Sequence, residues 1–165
     1  MRGSITGFSW FAIVGFILLA FAPIGWGQDA VRTIVINEIE LNPPGRDGGE
    51  EWVEILNVGD TPIDLYGWRI TYTYRVPGSV ELVEEETVLA PGDRFVFTYP
   101  ALMLRNDDPT PIELIDPDGD VIDRTPAFTD TAGNVCTWQR FPDGGDPLLP
   151  DLWLFVKGTK GTPNS

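Results

Sequence analysis

The segment Trp68–Arg75, WRITYTYR, alternates without interruption. Trp68, Ile70, Tyr72 and Tyr74 fall on one side of an extended chain; Arg69, Thr71, Thr73 and Arg75 fall on the other. Neighbouring side chains of a strand point to opposite faces, so the pattern predicts a half-buried antiparallel strand. Similar short runs recur along the chain: RTIVINEIEL, EWVEILNV, SVELV, TVL, RFVFTY, IELID, DVIDR, VCTWQRF and LWLFV. Between them stand turn formers such as VGDTP, APGD, NDDPTP, DPDGD, FPDGG and KGTKGTPN. Short strands punctuated in this way predict an all-β fold, a β-sandwich of antiparallel sheets. No segment carries a helical period with caps, and there is no internal repeat.

The first residues read differently. Arg2 is the only charge before Asp29, and the apolar run WFAIVGFILLAFAPIGW separates them. Small residues at Gly25 and Gly27 suit cleavage ahead of Gln28. This predicts a signal peptide over 1–27 and one domain over 28–165. An uncleaved anchor is the competing reading, since a span needs about 20 apolar residues. Export makes the expected location secreted, cell-surface or periplasmic, with no stable membrane span after cleavage.

Charge and residue types narrow the chemistry. The formal net charge is −14. Non-specific nucleic-acid binding depends on basic residues neutralising phosphates, so no nucleic-acid partner is expected. The chain has no histidine, which excludes a Ser-His-Asp triad and any histidine-ligated metal. Its single cysteine, Cys136, cannot form an internal disulfide and reads as a small buried apolar residue. No cofactor is expected.

The densest acidic stretch is NEIELNPPGRDGGEEWVEILN, Asn37–Asn57. Glu38, Glu40, Asp47, Glu50, Glu51 and Glu54 offer oxygens to a hard cation. Strand alternation separates them. Glu50 and Glu54 share a face with Trp52 and Leu56, Glu51 shares the other with Val53 and Ile55, and Glu38 is in phase with Ile34 and Ile36. Some carboxylates therefore sit beside core residues, where an unpaired charge is costly. The expected remedy is an arginine, Arg69 or Arg140, within salt-bridge reach of Glu38, Glu51 or Glu54. In DPDGDVID, Asp116, Asp118 and Asp120 alternate like metal-loop aspartates. Counted from Asp116, the calcium-loop positions that need glycine and glutamate hold Val121 and Ala127. Asp118-Gly119 reads instead as a hairpin turn, with a weak calcium ion there left open. Paired carboxylates also raise glycoside hydrolysis, but a sandwich of this size has little material for a cleft. Trp52, Trp68, Trp138 and Trp153 alternate with aliphatics and are expected in the core, with Tyr66 the exception.

The motifs, in order, resemble the lamin-tail domain, an immunoglobulin-like β-sandwich, over about Thr33 to Asn164. They are INEI at Ile36–Ile39; Glu51, Trp52, Glu54 and Asn57; Asp64, Leu65, Gly67 and Trp68; Leu89, Pro91 and Gly92; Asp116, Asp118, Gly119 and Asp123; Arg140, Pro142, Asp143 and Gly144; and Gly161–Asn164. The family forms the globular tail of nuclear lamins and occurs in exported prokaryotic chains, sometimes beside hydrolases. No catalytic residues and no metal are expected, and the resemblance implies a module whose ligand the fold does not fix. It implies that Glu38, Glu51, Trp52, Glu54, Asn57, Gly67, Trp68, Pro91, Gly92, Asp118, Gly119 and Arg140 are framework. The expected function is a non-catalytic binding or structural module with a protein or glycan partner at the cell surface. The alternatives are a carbohydrate- or calcium-assisted surface-binding module and a small hydrolase using paired carboxylates.

Overall fold

The computed structural model describes residues 33–109, 111–146 and 150–165. The expected signal segment and its cleavage point lie outside them. Among the described residues there are strands and turns and no helix. The strands are β1 (Ile34–Glu40), β2 (Trp52–Asn57), β3 (Ile63–Asp64), β4 (Arg69–Tyr72), β5 (Gly78–Glu81), β6 (Val88–Leu89), β7 (Arg94–Thr98), β8 (Glu113–Ile115), β9 (Val121–Arg124), β10 (Cys136–Phe141) and β11 (Leu152–Lys157). One sheet runs β11-β10-β1-β2-β7, a second runs β5-β4-β8-β9, and β3 pairs with β6 in a small third ladder. The strand pairs are antiparallel. The core fills the space between the two larger sheets, with Ile34, Ile36, Ile39, Val53 and Ile55 from the first and Ile70 and Leu114 from the second. This is the antiparallel β-sandwich that the alternation predicts.

The strand expected over Trp68–Arg75 is shorter than its alternation suggests. It ends at Tyr72. The Thr73 and Tyr74 N–H groups both donate to the Met103 carbonyl, at 2.9 Å each, and Arg75 takes a left-handed φ of 58°. A loop carbonyl therefore captures the backbone before the alternation runs out. The β3 strand was not expected at all. It is two residues long, too short to show any period.

A second difference is structural in a deeper sense. The β1–β2 ladder pairs Ile36 with Ile55 but Glu38 with Glu54, so one extra residue is inserted between Ile36 and Glu38. A bulge of this kind sets two residues of one strand against one of the other. It reverses the parity of everything after it. Ile34 and Ile36 face the core before the bulge, and Ile39 and Leu41 face it afterwards. Glu38 is therefore not in phase with Ile34 and Ile36. It lies on the outward face, beside Glu54.

Three backbone groups at the bulge find side-chain partners. The Ile36 N–H donates to Asp123 Oδ2 at 2.7 Å, and Arg140 Nε donates to the Ile36 carbonyl at 2.8 Å. Asn164 Nδ2 donates to the Asn37 carbonyl at 3.0 Å. Arg140 is fully buried and forms ion pairs with Asp123 and Asp151, each at 2.5 Å. Its guanidinium also lies 4.8 Å from the centre of the Trp153 ring. Arg140→Ala removes the cation and leaves two carboxylates without it, a change that costs about 3–5 kcal/mol for buried pairs. Urea unfolding measures this cost. A loss below about 1 kcal/mol, the value of a surface pair, contradicts the role given to Arg140.

Candidate functional site

The outward face of β1, β2 and β10 would be open were the chain to stop at β11. The segment after β11 folds back across it instead. Glu38 is fully buried there. Its Oε1 accepts from Thr137 Oγ1 at 2.6 Å, the Thr159 N–H at 2.8 Å and Gln139 Nε2 at 3.3 Å, and its Oε2 accepts from Thr159 Oγ1 at 2.8 Å. Glu54 is also fully buried. Its Oε1 accepts from Asn37 Nδ2 at 2.8 Å and lies 3.3 Å from Arg94 Nε, while its Oε2 accepts from the Gly161 N–H at 2.8 Å. Lys160, between those two tail contacts, sets its ammonium 5.0 Å from the centre of the Trp52 ring.

Asn37 joins this arrangement to the loop after β10. Its Nδ2 donates to Asp143 Oδ1 at 3.0 Å as well as to Glu54, and its Oδ1 accepts from the Gly144 N–H at 2.8 Å. Asp143 takes the Asn164 N–H at 3.0 Å and an ion pair from Arg94. Asn164 Nδ2 reaches the Arg140 carbonyl at 2.9 Å. A side chain at position 144 would not fit: φ is 78°, and a Cβ would come within 2.8 Å of Val58.

The arginine beside the acidic cluster is therefore Arg94, and the expectation of Arg69 or Arg140 is corrected. Arg69 lies in the opposite sheet, in register with Glu81. Arg140 is engaged by the bulge and its two aspartates. Arg94 starts β7, whose register puts it across from Leu56 on the outward face. Glu38, by contrast, is held by hydroxyl and amide donors.

Glu51 serves another element. It is fully buried, and its Oε2 accepts from the N–H groups of Met103 at 2.8 Å and Leu104 at 3.0 Å. Burial raises its pKa from the ordinary 4.5 to about 7, against the pull of those two N–H donors. Burial likewise raises Glu54, and it raises Glu40 to about 7.

The remaining motif residues build turns. Asn57 Nδ2 donates to the carbonyls of Thr61 and Leu89, both at 2.9 Å, and Asn57 Oδ1 takes the Gly59 N–H at 3.0 Å. The Gly92 N–H, just after Pro91, donates to the Asn57 carbonyl at 2.9 Å. Gly67 has φ of 80° in the turn that bonds the Trp68 N–H to the Leu65 carbonyl at 3.1 Å. Asp118 and Gly119 form the β8–β9 hairpin turn, in which the Asp116 N–H donates to the Asp120 carbonyl at 3.0 Å. Asp116 Oδ1 takes the Asp120 N–H at 2.8 Å, so that carboxylate is engaged in shaping the turn.

Trp52 and Trp68 are buried, while Trp138 and Trp153 are half-buried. Trp138 stacks on Phe128 with ring centres 4.4 Å apart. No described tryptophan stands exposed, and Tyr66 is 57 % exposed. Cys136 is half-buried rather than buried.

Chemically, these carboxylates act as acceptors. Glycoside hydrolysis needs two acids with a sugar between them, whereas Glu38 and Glu54 are buried and engaged by the Thr159 and Gly161 N–H groups. The open concavity on this side is a groove of about 790 Å³ lined by Leu56, Val58, Pro91, Arg94, Gly144 and Pro163. The sequence motifs mark its rim, at Asn57, Pro91, Gly92 and Asp143, but gave no sign that they converge. No motif includes Arg94, and its partners Glu54 and Asp143 lie far from it in the chain.

A model of the lamin tail domain family matches residues 28–127 of the chain. No curated protein matches it.

The raised pKa values have a signed consequence. A carboxyl whose folded pKa is raised binds more protons in the folded than in the unfolded chain between the two values. Its contribution is fully present below 4.5 and declines as pH rises to about 7. Glu51→Gln removes one such group while keeping an oxygen for Met103 and Leu104. Melting curves recorded from pH 4.5 to 7.5 are expected to show a shallower decline for the variant than for the parent. Parallel curves contradict the assignment.

Proposed function

The chain belongs to the lamin tail domain family, and from that premise we propose that it acts as an exported, non-catalytic binding or structural module on an immunoglobulin-like sandwich. The observation that carries this reading is the saturation of Glu38 and Glu54 by strand and tail donors. Acids held in this way support a shape and leave little for proton transfer. Their raised pKa values follow from burial, and perturbed carboxylates arise in structural networks as well as in active sites.

The partner is read as a protein or glycan at the cell surface. The groove between the β2 end, the Pro91–Gly92 turn and the Asp143–Gly144 loop is the surface offered to it. It mixes apolar walls with the Arg94–Asp143 pair, the composition usual for recognition sites. The net charge of −14 disfavours nucleic acid and favours a basic or neutral partner. A row of stacking platforms for sugars finds no support among the four half-buried or buried tryptophans.

Export is tested by expressing the full chain in an export-competent host and sequencing its N-terminus from each fraction. The expected product begins at Gln28 and lies outside the cytoplasm. A full-length chain confined to the cytoplasm contradicts it. Binding is tested by comparing capture from the extracellular fraction by the parent and by Val58→Asp, a change at an exposed groove position. A partner held by the parent and lost by the variant supports the groove; equal capture moves the interface elsewhere.

A further inference from the structure

Away from the tail, three loops meet at one end of the sandwich. Asp47 comes from the loop between β1 and β2, Asn106 from that between β7 and β8, and Asp130 from that between β9 and β10. Asn106 Nδ2 donates to Asp47 Oδ2 at 2.9 Å, and the Asp130 N–H donates to the Asn106 carbonyl at 2.9 Å. Asp47, Asn106 and Thr131 line one cavity of about 640 Å³.

The oxygens here are under-supplied with donors. Asp130 is only 4 % exposed; its Oδ1 takes the Ala132 N–H at 2.8 Å, and its Oδ2 is buried with no hydrogen-bond partner. Asn106 Oδ1 is also buried without a partner. The amide cannot gain by turning over, because that would set its oxygen against the Asp47 carboxylate. Glu51 Oε1, on a fully buried side chain, is a further oxygen in this state. The charge of Asp47 bears on both Glu51 and Asp130, and that of Asp130 bears on Glu40. Arg75 and Arg105 line the same cavity, but Arg105 is drawn to Asp107 and Asp108 at 3.5 Å.

Neither arginine hydrogen-bonds Asp130 Oδ2 or Asn106 Oδ1, and bare buried acceptors under the charge of a neighbouring carboxylate call for a cation. The donor set holds oxygen alone, which suits a hard ion and not zinc or copper. Among the described residues no three acidic side chains are grouped as a metal site. Amide and backbone carbonyls and water must therefore complete the shell, as they do at many calcium sites. We propose that Asp47, Asn106 and Asp130 bind one calcium ion with low affinity and so tie the three loops together. This site is separate from the β8–β9 hairpin, where Asp116 shapes the turn.

The test is calorimetric titration of calcium chloride into the chelator-stripped full chain at constant ionic strength, paired with thermal melts. One saturable event is expected, with a dissociation constant on the order of 10⁻⁴–10⁻³ M. The melting temperature should rise by about 3 °C at ten times that constant. Magnesium should do less, since it sheds water reluctantly. Asp130→Asn and Asp47→Asn should each abolish the heat and the shift. In chelator, Asp130→Asn should melt no lower than the parent, because it removes a buried charge, and this shows that the variant is folded. Asp118→Asn should respond like the parent. Absence of a saturable heat at millimolar calcium overturns the proposal. So does an undiminished response in both the Asp130 and Asp47 variants.

Discussion

One inserted residue in β1 sets the terms for the rest of this molecule. Between Ile36 and Glu38 the ladder with β2 slips by one, and backbone groups that a regular strand would pair are turned loose inside the protein. Buried backbone N–H and C=O groups need partners. Here the partners are side chains from far along the chain. Asp123 takes the Ile36 N–H, Arg140 holds the Ile36 carbonyl, and Asn164 holds the Asn37 carbonyl. The bulge also turns Glu38 outward to meet Glu54. That creates an acidic outward face, and the tail after β11 covers it.

The scattered motifs become one object in this light. The INEI strand supplies the bulge. The aspartate after the hairpin and the arginine after Trp138 satisfy it from the core side. Glu54, Asp143, Gly144 and Asn164 gather round Asn37 from the outside. Removing one member leaves others buried without partners, so the set is cooperative in the way fully satisfied polar networks are. The cluster has the acidity of an active site and the wiring of a joint.

Much of this was legible in the sequence. Alternation and turn residues predicted the sandwich, and Asp118-Gly119 predicted its hairpin. That some of the carboxylates are buried followed from their aliphatic neighbours, but the face did not: Glu38 and Glu54 point outward and are covered by the tail. Three things were not legible. The bulge was hidden because Ile34, Ile36 and Glu38 keep an even spacing in the sequence, and only the partner strand reveals the slip. The identity of the arginine depended on the β2–β7 register, which no local pattern encodes. The end of β4 was decided by the Met103 carbonyl, thirty residues away in the chain. Alternation reports which faces a strand offers; it does not report what a distant loop does to its end.

The account rests on the tail being fastened by the carboxylates, and amide hydrogen exchange reads that fastening directly. Thr159 and Gly161 lie in no strand, and their N–H groups donate to Glu38 and Glu54 at 2.8 Å. The account predicts that both amides exchange as slowly as those in the middle of β2, opening only with the whole sandwich. Exchange at the rate of an exposed coil, with β2 still protected, would contradict it.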